Sequence, residues 1–510
     1  KDKVVNHHLE VPYRVLEEQY TYNADRSDNM IIRGDNLEAL KALLPRYEGK
    51  VKCIYIDPPY NTGNEGWVYN DNVNDPRIKK WLGEVVGKDG EDLSRHDKWL
   101  CMMYPRLKLL HRLLAEEGVI FISIDDTEFS YLRLICDEIF KNFAEAIVWQ
   151  KRTSPDARKK LSSGHEYVLI YTKNPDQSLG LKLLPLEGKD AEAYTNPDSD
   201  PRGPWISSPF TAPGYRPNQM YPITTPTGKT MMPPKGRCWC NIEEVYQRLL
   251  SEGRMWFGAD GNGVPRRKTY LSEREGRGVW TWWTNSEVGY TQIATQELAA
   301  ILGKAVFDYP KPIRLISRII QMASSDGDII LDSFAGSGTT AHTVLNMNKA
   351  DGGHRKFILV EMMDYAESIT AERVKRVIDG YGEGKNAVAG TGGDFTFYDL
   401  GPVLLLPNGN LNEDVGAEKI REYVYFMETK SSIEPDKTDE PYYMGVHLDS
   451  AYYFFYERDS LTTLSRDFLG NIKTKAGRYT IYADQCTLSQ AELERWHITF
   501  KKIPRDISKL

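Results

Sequence analysis

A chain of 510 residues is too long for one hydrophobic core and predicts roughly three or four domains on the usual ~150-residue scale. Hydrophobic residues make up 41% and charged residues 27%, the balance of an ordinary soluble protein; with no leader-like start and no apolar run of bilayer length, a cytoplasmic protein without membrane contact is expected. The net charge of −7 gives no general attraction for polyanions, so any nucleic-acid contact has to come from local basic patches.

Six scattered cysteines (Cys53, Cys101, Cys136, Cys238, Cys240 and Cys486) predict reduced thiols rather than a disulfide framework. Cys238 and Cys240 form one close pair without a second pair or spaced histidines, so no metal site is expected.

Residues 1–28 show no clear period and are expected to form an arm. A short strand at 30–33 breaks at Gly34, and Asp35 or Asn36 is placed to cap a helix over 37–44. Asp35 is equally suited to line a ligand pocket at that strand tip.

Residues 51–56 (Val-Lys-Cys-Ile-Tyr-Ile) predict a buried strand that stops at Asp57-Pro58-Pro59-Tyr60. A carboxylate at such a tip lies where open α/β sheets bind ligands. The two prolines stiffen the turn and donate no N–H, so the Asp57 carboxylate and the Pro58 carbonyl become a rigid acceptor pair with an aromatic ring beyond them. Two acceptors and a stacking face suit an exocyclic amine on a flat heterocycle. Accepting both N–H bonds would localise the nitrogen lone pair for attack, once the base has left its duplex. The bland alternative is a proline-terminated strand and a turn.

The Gly- and Asn-rich stretch 61–72 is either a loop closing over that base or a surface loop. A helix over 99–114, with Pro105 as a kink, leads to a strand over 118–124 ending at Asp125 and Asp126, which are read first as solvent-facing terminators and second as pocket wall. A helix over 128–140 and a strand over 146–150 precede a basic loop carrying Lys151, Arg152, Arg158, Lys159 and Lys160. Such loops are often merely solvated; beside a base-modifying site this one is the first candidate for phosphate contacts.

Between 174 and 296 the α/β rhythm gives way to prolines, tryptophans and a second basic cluster, Arg266-Arg267-Lys268. These aromatics and arginines fit either the core of an inserted module or a DNA-reading face.

The α/β pattern resumes with Lys311-Pro312, an amphipathic helix over 313–320 and a strand ending at Asp332. The glycine-rich turn Ser333-Phe334-Ala335-Gly336-Ser337-Gly338-Thr339-Thr340 opens a helix, and a strand over 356–361 ends in Glu361. This βαβ unit suits an adenosine-containing cofactor, with the glycines admitting it close to the backbone and the acid accepting ribose hydroxyls. The third glycine of the dinucleotide fingerprint and the P-loop lysine are both absent, which argues against NAD and ATP.

Together these motifs make the chain resemble the S-adenosylmethionine-dependent amino methyltransferases of DNA, in the β-class order where the catalytic tetrapeptide precedes the cofactor turn. Gly34-Asp35-Asn36, Asp57-Pro58-Pro59-Tyr60-Asn61-Thr62-Gly63 and the stretch from Arg95 to Asp126 are similar to modification subunits of type III restriction-modification systems. The resemblance implies S-adenosylmethionine as cofactor, double-stranded DNA as substrate, N6 of adenine as target, a homodimer and a restriction (helicase–nuclease) partner subunit. It makes Asp57, Pro58, Pro59 and Tyr60 catalytic. It assigns the cofactor to Asp35, Lys311, Pro312, Asp332, Phe334, Ala335, Gly336, Ser337, Gly338, Thr339, Thr340 and Glu361.

The expected fold is α/β, a Rossmann-like methyltransferase with a mixed seven-stranded sheet, permuted motif order, an inserted target-recognition domain and a C-terminal α+β domain. The expected boundaries are an arm at 1–28, a catalytic half at 29–175, a recognition domain at 176–299, a cofactor half at 300–380, a linker at 381–394 and an accessory domain at 395–510. A solitary methyltransferase acting on cytosine N4, a dinucleotide-dependent oxidoreductase and a catalytically silent DNA-binding subunit are the alternatives. The oxidoreductase leaves the tetrapeptide unexplained.

Overall fold

The structure, a computed structural model, describes residues 2–62, 80, 84, 95–186, 188–303, 306–433 and 440–505. It divides into two compact units, a larger one made of 1–182 with 280–510 and a smaller one spanning 183–279.

The larger unit is organised by a ten-stranded mixed sheet. Its strands are β1 (Arg14–Tyr22), β2 (Met30–Arg33), β3 (Val51–Ile56), β4 (Leu114–Ile124), β5 (Asn142–Gln150), β6 (His165–Thr172), β7 (Trp282–Trp283), β8 (Ile329–Asp332), β9 (Lys356–Glu361) and β10 (Phe395–Val403). The order across the sheet is β1-β10-β2-β9-β8-β3-β4-β6-β5-β7. β1 runs antiparallel to β10, and β6 runs antiparallel to both of its neighbours; every other pairing is parallel.

This is the expected Rossmann-like α/β class with three strands more than expected. β1 comes from the supposed arm, β10 from the start of the supposed accessory domain, and β7 from the end of the supposed inserted module. Each pairs with backbone that would otherwise stand unsatisfied at or near a sheet edge. Residues 280–299 therefore belong with the larger unit, and the smaller one is shorter than the 176–299 expected. Within the supposed linker, Tyr381 pairs with Val388.

The central strands are apolar almost throughout because both faces are covered. In β3, Val51, Cys53, Ile54 and Ile56 are all fully buried. Ile54 and Ile56 join Ile120 and Ile122 of β4 in one core with Leu40 and Leu43 of α1 (Asn36–Tyr47) and with Leu107 and Leu110 of α2 (Arg95–Leu113). Each such side chain contributes about 1.5–3 kcal/mol relative to exposure. Pro105 lies inside α2 and does not end it.

The switch in strand order places the site. From β3 the chain crosses to β4 on one side; β8 and β9 later fill the other side, so β3 and β8 are parallel neighbours with Leu331 opposite Ile54. Their C-terminal tips carry Asp57 and the glycine turn, and such a switch point is where doubly wound sheets open a crevice.

The smaller unit has a three-stranded sheet of Met255–Trp256, Arg266–Tyr270 and Trp205–Pro209. Its core gathers Phe210, Tyr221, Trp239, Tyr246 and Leu249. The aromatics there, Trp239 and Trp205 among them, are thus largely core, whereas Trp280 in the larger unit is 84% exposed.

Candidate active site

Asp57, Pro58 and Tyr60 at the tip of β3 line a cleft of about 380 Å³ together with Asp332, Phe334, Ala335, Gly336, Ser337, Thr339 and Thr340 from the tip of β8. Residues far apart in the chain thus share one cavity, of a size suited to small ligands. Lys311, Trp149 and Glu166 complete the wall around Asp57, and Asp125, read first as a solvent-facing terminator, lines it too.

Two carboxylates, buried Glu166 and partly buried Asp57, face two ammonium groups there. Lys311 Nζ donates to Asp57 Oδ1 at 2.8 Å and to Oδ2 at 2.7 Å, and to the Tyr60 hydroxyl at 3.0 Å. The Tyr60 hydroxyl lies 2.7 Å from Asp57 Oδ1 and 3.2 Å from Glu166 Oε2. Lys151 Nζ donates to Glu166 Oε1 at 2.8 Å. Burial pushes the Asp57 carboxyl up despite the opposing Lys311 charge. For Glu166 burial also acts upward, but Lys311 and Lys151 together outweigh it and hold the group below its ordinary range. Burial, then the Asp57 and Glu166 charges, drive the Tyr60 phenol well above its ordinary value.

Pro59 does not line the cleft. Its carbonyl accepts the Trp99 indole N–H at 2.6 Å, which pins the tetrapeptide from behind. Asn61 follows with φ of +60°, fully buried, its side-chain amide on the Glu128 carboxylate that also holds His96. The first residue of the supposed lid is therefore anchored; residues 63–72 of that stretch lie outside the described residues.

The glycine turn is braced from below. Gly336 (φ +52°) donates its N–H to Glu361 Oε2 at 2.8 Å, and Met363 donates to Oε1 at 3.0 Å. Asp332 accepts from Phe334 N–H at 3.1 Å and from the Thr340 hydroxyl at 2.6 Å. Gly338, also left-handed at φ +79°, precedes α3 (Thr339–Asp351), and a Cβ at Gly338 would come within 3.2 Å of the Thr370 carbonyl. Burial pushes both Asp332 and Glu361 up to about 7. Arg373 Nη1 donates to Ser337 Oγ at 2.9 Å and Thr339 Oγ1 at 2.8 Å, a buried brace not foreseen in the sequence.

The structure separates other expected site residues from the cleft wall. Asp35 caps α1 through Leu37 N–H at 2.8 Å and pairs with buried Arg106 at 3.1 Å, so of its two readings the capping one is realised. Glu361, expected at a ribose, lies beneath the turn; Pro312 and Gly338 likewise do not line the cleft. Lys311 enters through its ammonium at Asp57, while its carbonyl accepts from Thr339 Oγ1 at 3.2 Å.

Of the basic loop, Lys151, Arg152 and Arg158 line an adjoining chamber of about 760 Å³ with Tyr290, Thr291 and Tyr309. Lys151 and Arg152 also line the inner cleft, as does Lys159, whereas Lys160 lines neither. Arg158 is exposed and pairs with Asp156 at 2.9 Å.

In the smaller unit, Arg266 bonds Ser207 through its side chain at 2.7 Å, and Arg267 is exposed. Lys268 is a correction. It is 4% exposed, bonded to Asp198 and Asp200 and set 5.0 Å from the Trp205 ring, so it belongs to the interior and not to a nucleic-acid face.

Glu166 and Arg373 had no sequence signal beyond an acid after a histidine and an arginine in an amphipathic helix. Both were legible only as members of predicted elements. Among the described residues, no helix is long and apolar enough to cross a membrane.

The family described as DNA methylase matches residues 51–372. The Mod subunit of the type III restriction-modification enzyme StyLTI from Salmonella typhimurium is 37% identical over 352 residues, covering 65% of this chain and 52% of that protein. The EcoP15I Mod subunit of Escherichia coli is 32% identical, covering 69% of this chain and 62% of that protein. The type II methyltransferase M.KpnI of Klebsiella pneumoniae is 33% identical, covering 68% of this chain and 85% of that protein. The chain thus spans about half to three-fifths of the length of these two type III relatives.

Proposed function

Since the chain belongs to the DNA methylase family, we propose that it transfers a methyl group from S-adenosylmethionine to the N6 amine of an adenine extruded from double-stranded DNA, as the modification subunit of a restriction-modification system. The observation that carries this reading is the single cleft shared by the Asp57 acceptor and the Gly336 turn.

The residues present fit the cofactor. Left-handed Gly336 brings backbone to the cleft without a Cβ in the way, and Phe334, Ser337 and Asp332 line the same space. S-adenosylmethionine, when bound, supplies an electrophilic methyl on a sulfonium sulfur. The remaining work belongs to the chain. Asp57 and the Pro58 carbonyl accept the N–H bonds of the target amine and turn its lone pair outward, and Tyr60 offers its ring to the base. Trp99 holds Pro59 so that this geometry does not relax. The chemistry then rests on positioning and on fixed charge.

Asp at the first position of the tetrapeptide favours adenine over cytosine N4 by resemblance to the family. Arg152 and Arg158 of the chamber wall and Lys159 of the cleft wall are assigned to flanking phosphates. Similarity to the type III Mod subunits supports a restriction partner subunit, and a homodimer is the assembly proposed with it. Sequencing methylated bases in DNA from cells that express the chain tests the activity and finds the site; wild-type protein that labels no DNA with tritiated S-adenosylmethionine would overturn the reading.

A further inference from the structure

Lys311 stands where the target amine has to be held, a placement that acquires meaning on the reading of the cleft as the base site. Its nitrogen lies within 2.8 Å of both Asp57 oxygens, 3.0 Å from the Tyr60 hydroxyl and 5.0 Å from the Tyr60 ring centre. An exocyclic amine seeking the edge of the carboxylate that the ammonium engages through both oxygens would need the volume the ammonium fills. A second carboxylate is at hand: Glu166 Oε2 lies 3.5 Å from the same ammonium, while its other oxygen is engaged by Lys151. The Tyr60 hydroxyl bridges the two acids. A shift of about an ångström would turn the long Glu166 contact into a normal charged hydrogen bond.

We propose that Lys311 is a resident competitor of the target amine, a positioning residue that fills the Asp57 acceptor until an amine-bearing base arrives and then passes to Glu166. The exchange involves no covalent step and conserves charge, since the same ammonium is paired before and after. Its backbone stays fixed: the Lys311 carbonyl accepts from Thr339 Oγ1, which Arg373 also binds. The side chain therefore moves on an anchor that belongs to the glycine turn. A base without an exocyclic amine leaves the ammonium on Asp57, so the resident lysine keeps the acceptor paired whichever base enters and narrows the difference between amino and non-amino bases that an empty acceptor would show.

The test compares binding of two duplexes that carry the mapped recognition site, one with adenine and one with unsubstituted purine at the target position. S-adenosylhomocysteine is present and the pH is 8.5. In wild-type protein the amine must displace the ammonium, so the preference for adenine over purine is modest. In Lys311→Met the acceptor is open to adenine and left unpaired by purine, and the preference rises about tenfold. Lys311→Arg, which keeps a cation, holds the preference at or below the wild-type value, and Asp57→Asn abolishes it. An adenine-over-purine ratio in Lys311→Met no greater than in wild type, with circular dichroism unchanged, overturns the proposal. Should that variant not fold, Lys311→Ala, which likewise cannot donate to Asp57, makes the same comparison with the same expected rise. Wild-type protein that methylates DNA while these ratios stay flat refutes the exchange alone; wild-type protein that methylates nothing refutes the underlying reading as well.

Discussion

Replacing Asp57 by asparagine keeps the shape of the acceptor and removes its charge. The variant retains one neutral oxygen and presents an NH₂ group where the second oxygen was, so the target amine loses its one charged hydrogen bond and keeps only the bond to the Pro58 carbonyl at full strength. At about 1.5–3 kcal/mol per charged bond the loss is about 3 kcal/mol, or roughly a hundredfold in rate at ~1.4 kcal/mol per decade. Stability should suffer less than usual. Removing one partner of a buried ion pair costs ~3–5 kcal/mol, but Lys311 keeps Glu166 at 3.5 Å as a second anion, so about 1–2 kcal/mol is expected. Single-turnover transfer of tritiated methyl to DNA measures the first quantity, urea melts the second, and calorimetry with S-adenosylmethionine should show near-wild-type affinity. A rate within about threefold of wild type would refute the acceptor role of Asp57.

Gly336→Asp forces a side chain onto a residue at φ +52° and sets a second carboxylate beside Glu361, so cofactor affinity should fall by about a hundredfold in calorimetry. Arg373→Met releases Ser337 and Thr339 and should cost about 2–4 kcal/mol in urea melts, with weaker cofactor binding. Asp332 has a folded pKa of about 7 against an ordinary 3.8, so the folded state holds its proton more tightly; stability falls as pH rises from about 4 to 7 and is flat above. Glu361, also at about 7, acts in the same sense, so Asp332→Asn should remove about half of the loss between pH 5.5 and 7 in melts of the cofactor-free protein. Arg158→Ala should weaken DNA binding and lower the salt slope by about one unit. Lys268→Ala should leave the DNA contacts of the basic loop intact and destabilise its own unit by ~3 kcal/mol, because Asp198 and Asp200 lose their shared cation.

The chemistry-bearing tips were legible in the sequence because strand, proline stop and glycine turn are local events. An apolar run of β-branched and aromatic residues needs burial on both faces, two prolines cannot extend a ladder, and a left-handed turn selects glycine; these place Asp57 and Gly336 at strand ends without reference to the rest of the chain. Asp35 shows the limit. Its spacing to Leu37 announces a cap, while its pairing with Arg106, 71 residues on, is set by how α2 lies against α1.

Only the tertiary structure decided which side chains meet at those tips. Lys311 reaches Asp57 across 254 residues and Glu166 reaches Tyr60 across 106, through strand neighbours that local periodicity cannot specify. The same holds at the sheet margins, where β1, from a segment without clear period, two-residue β7 and β10 join the sheet because its outer backbone offers partners. Burial then sets the charge states: moving carboxylates and ammonium groups together out of water shifts each by an amount that depends on all the others, and that sum exists only once the chain has folded.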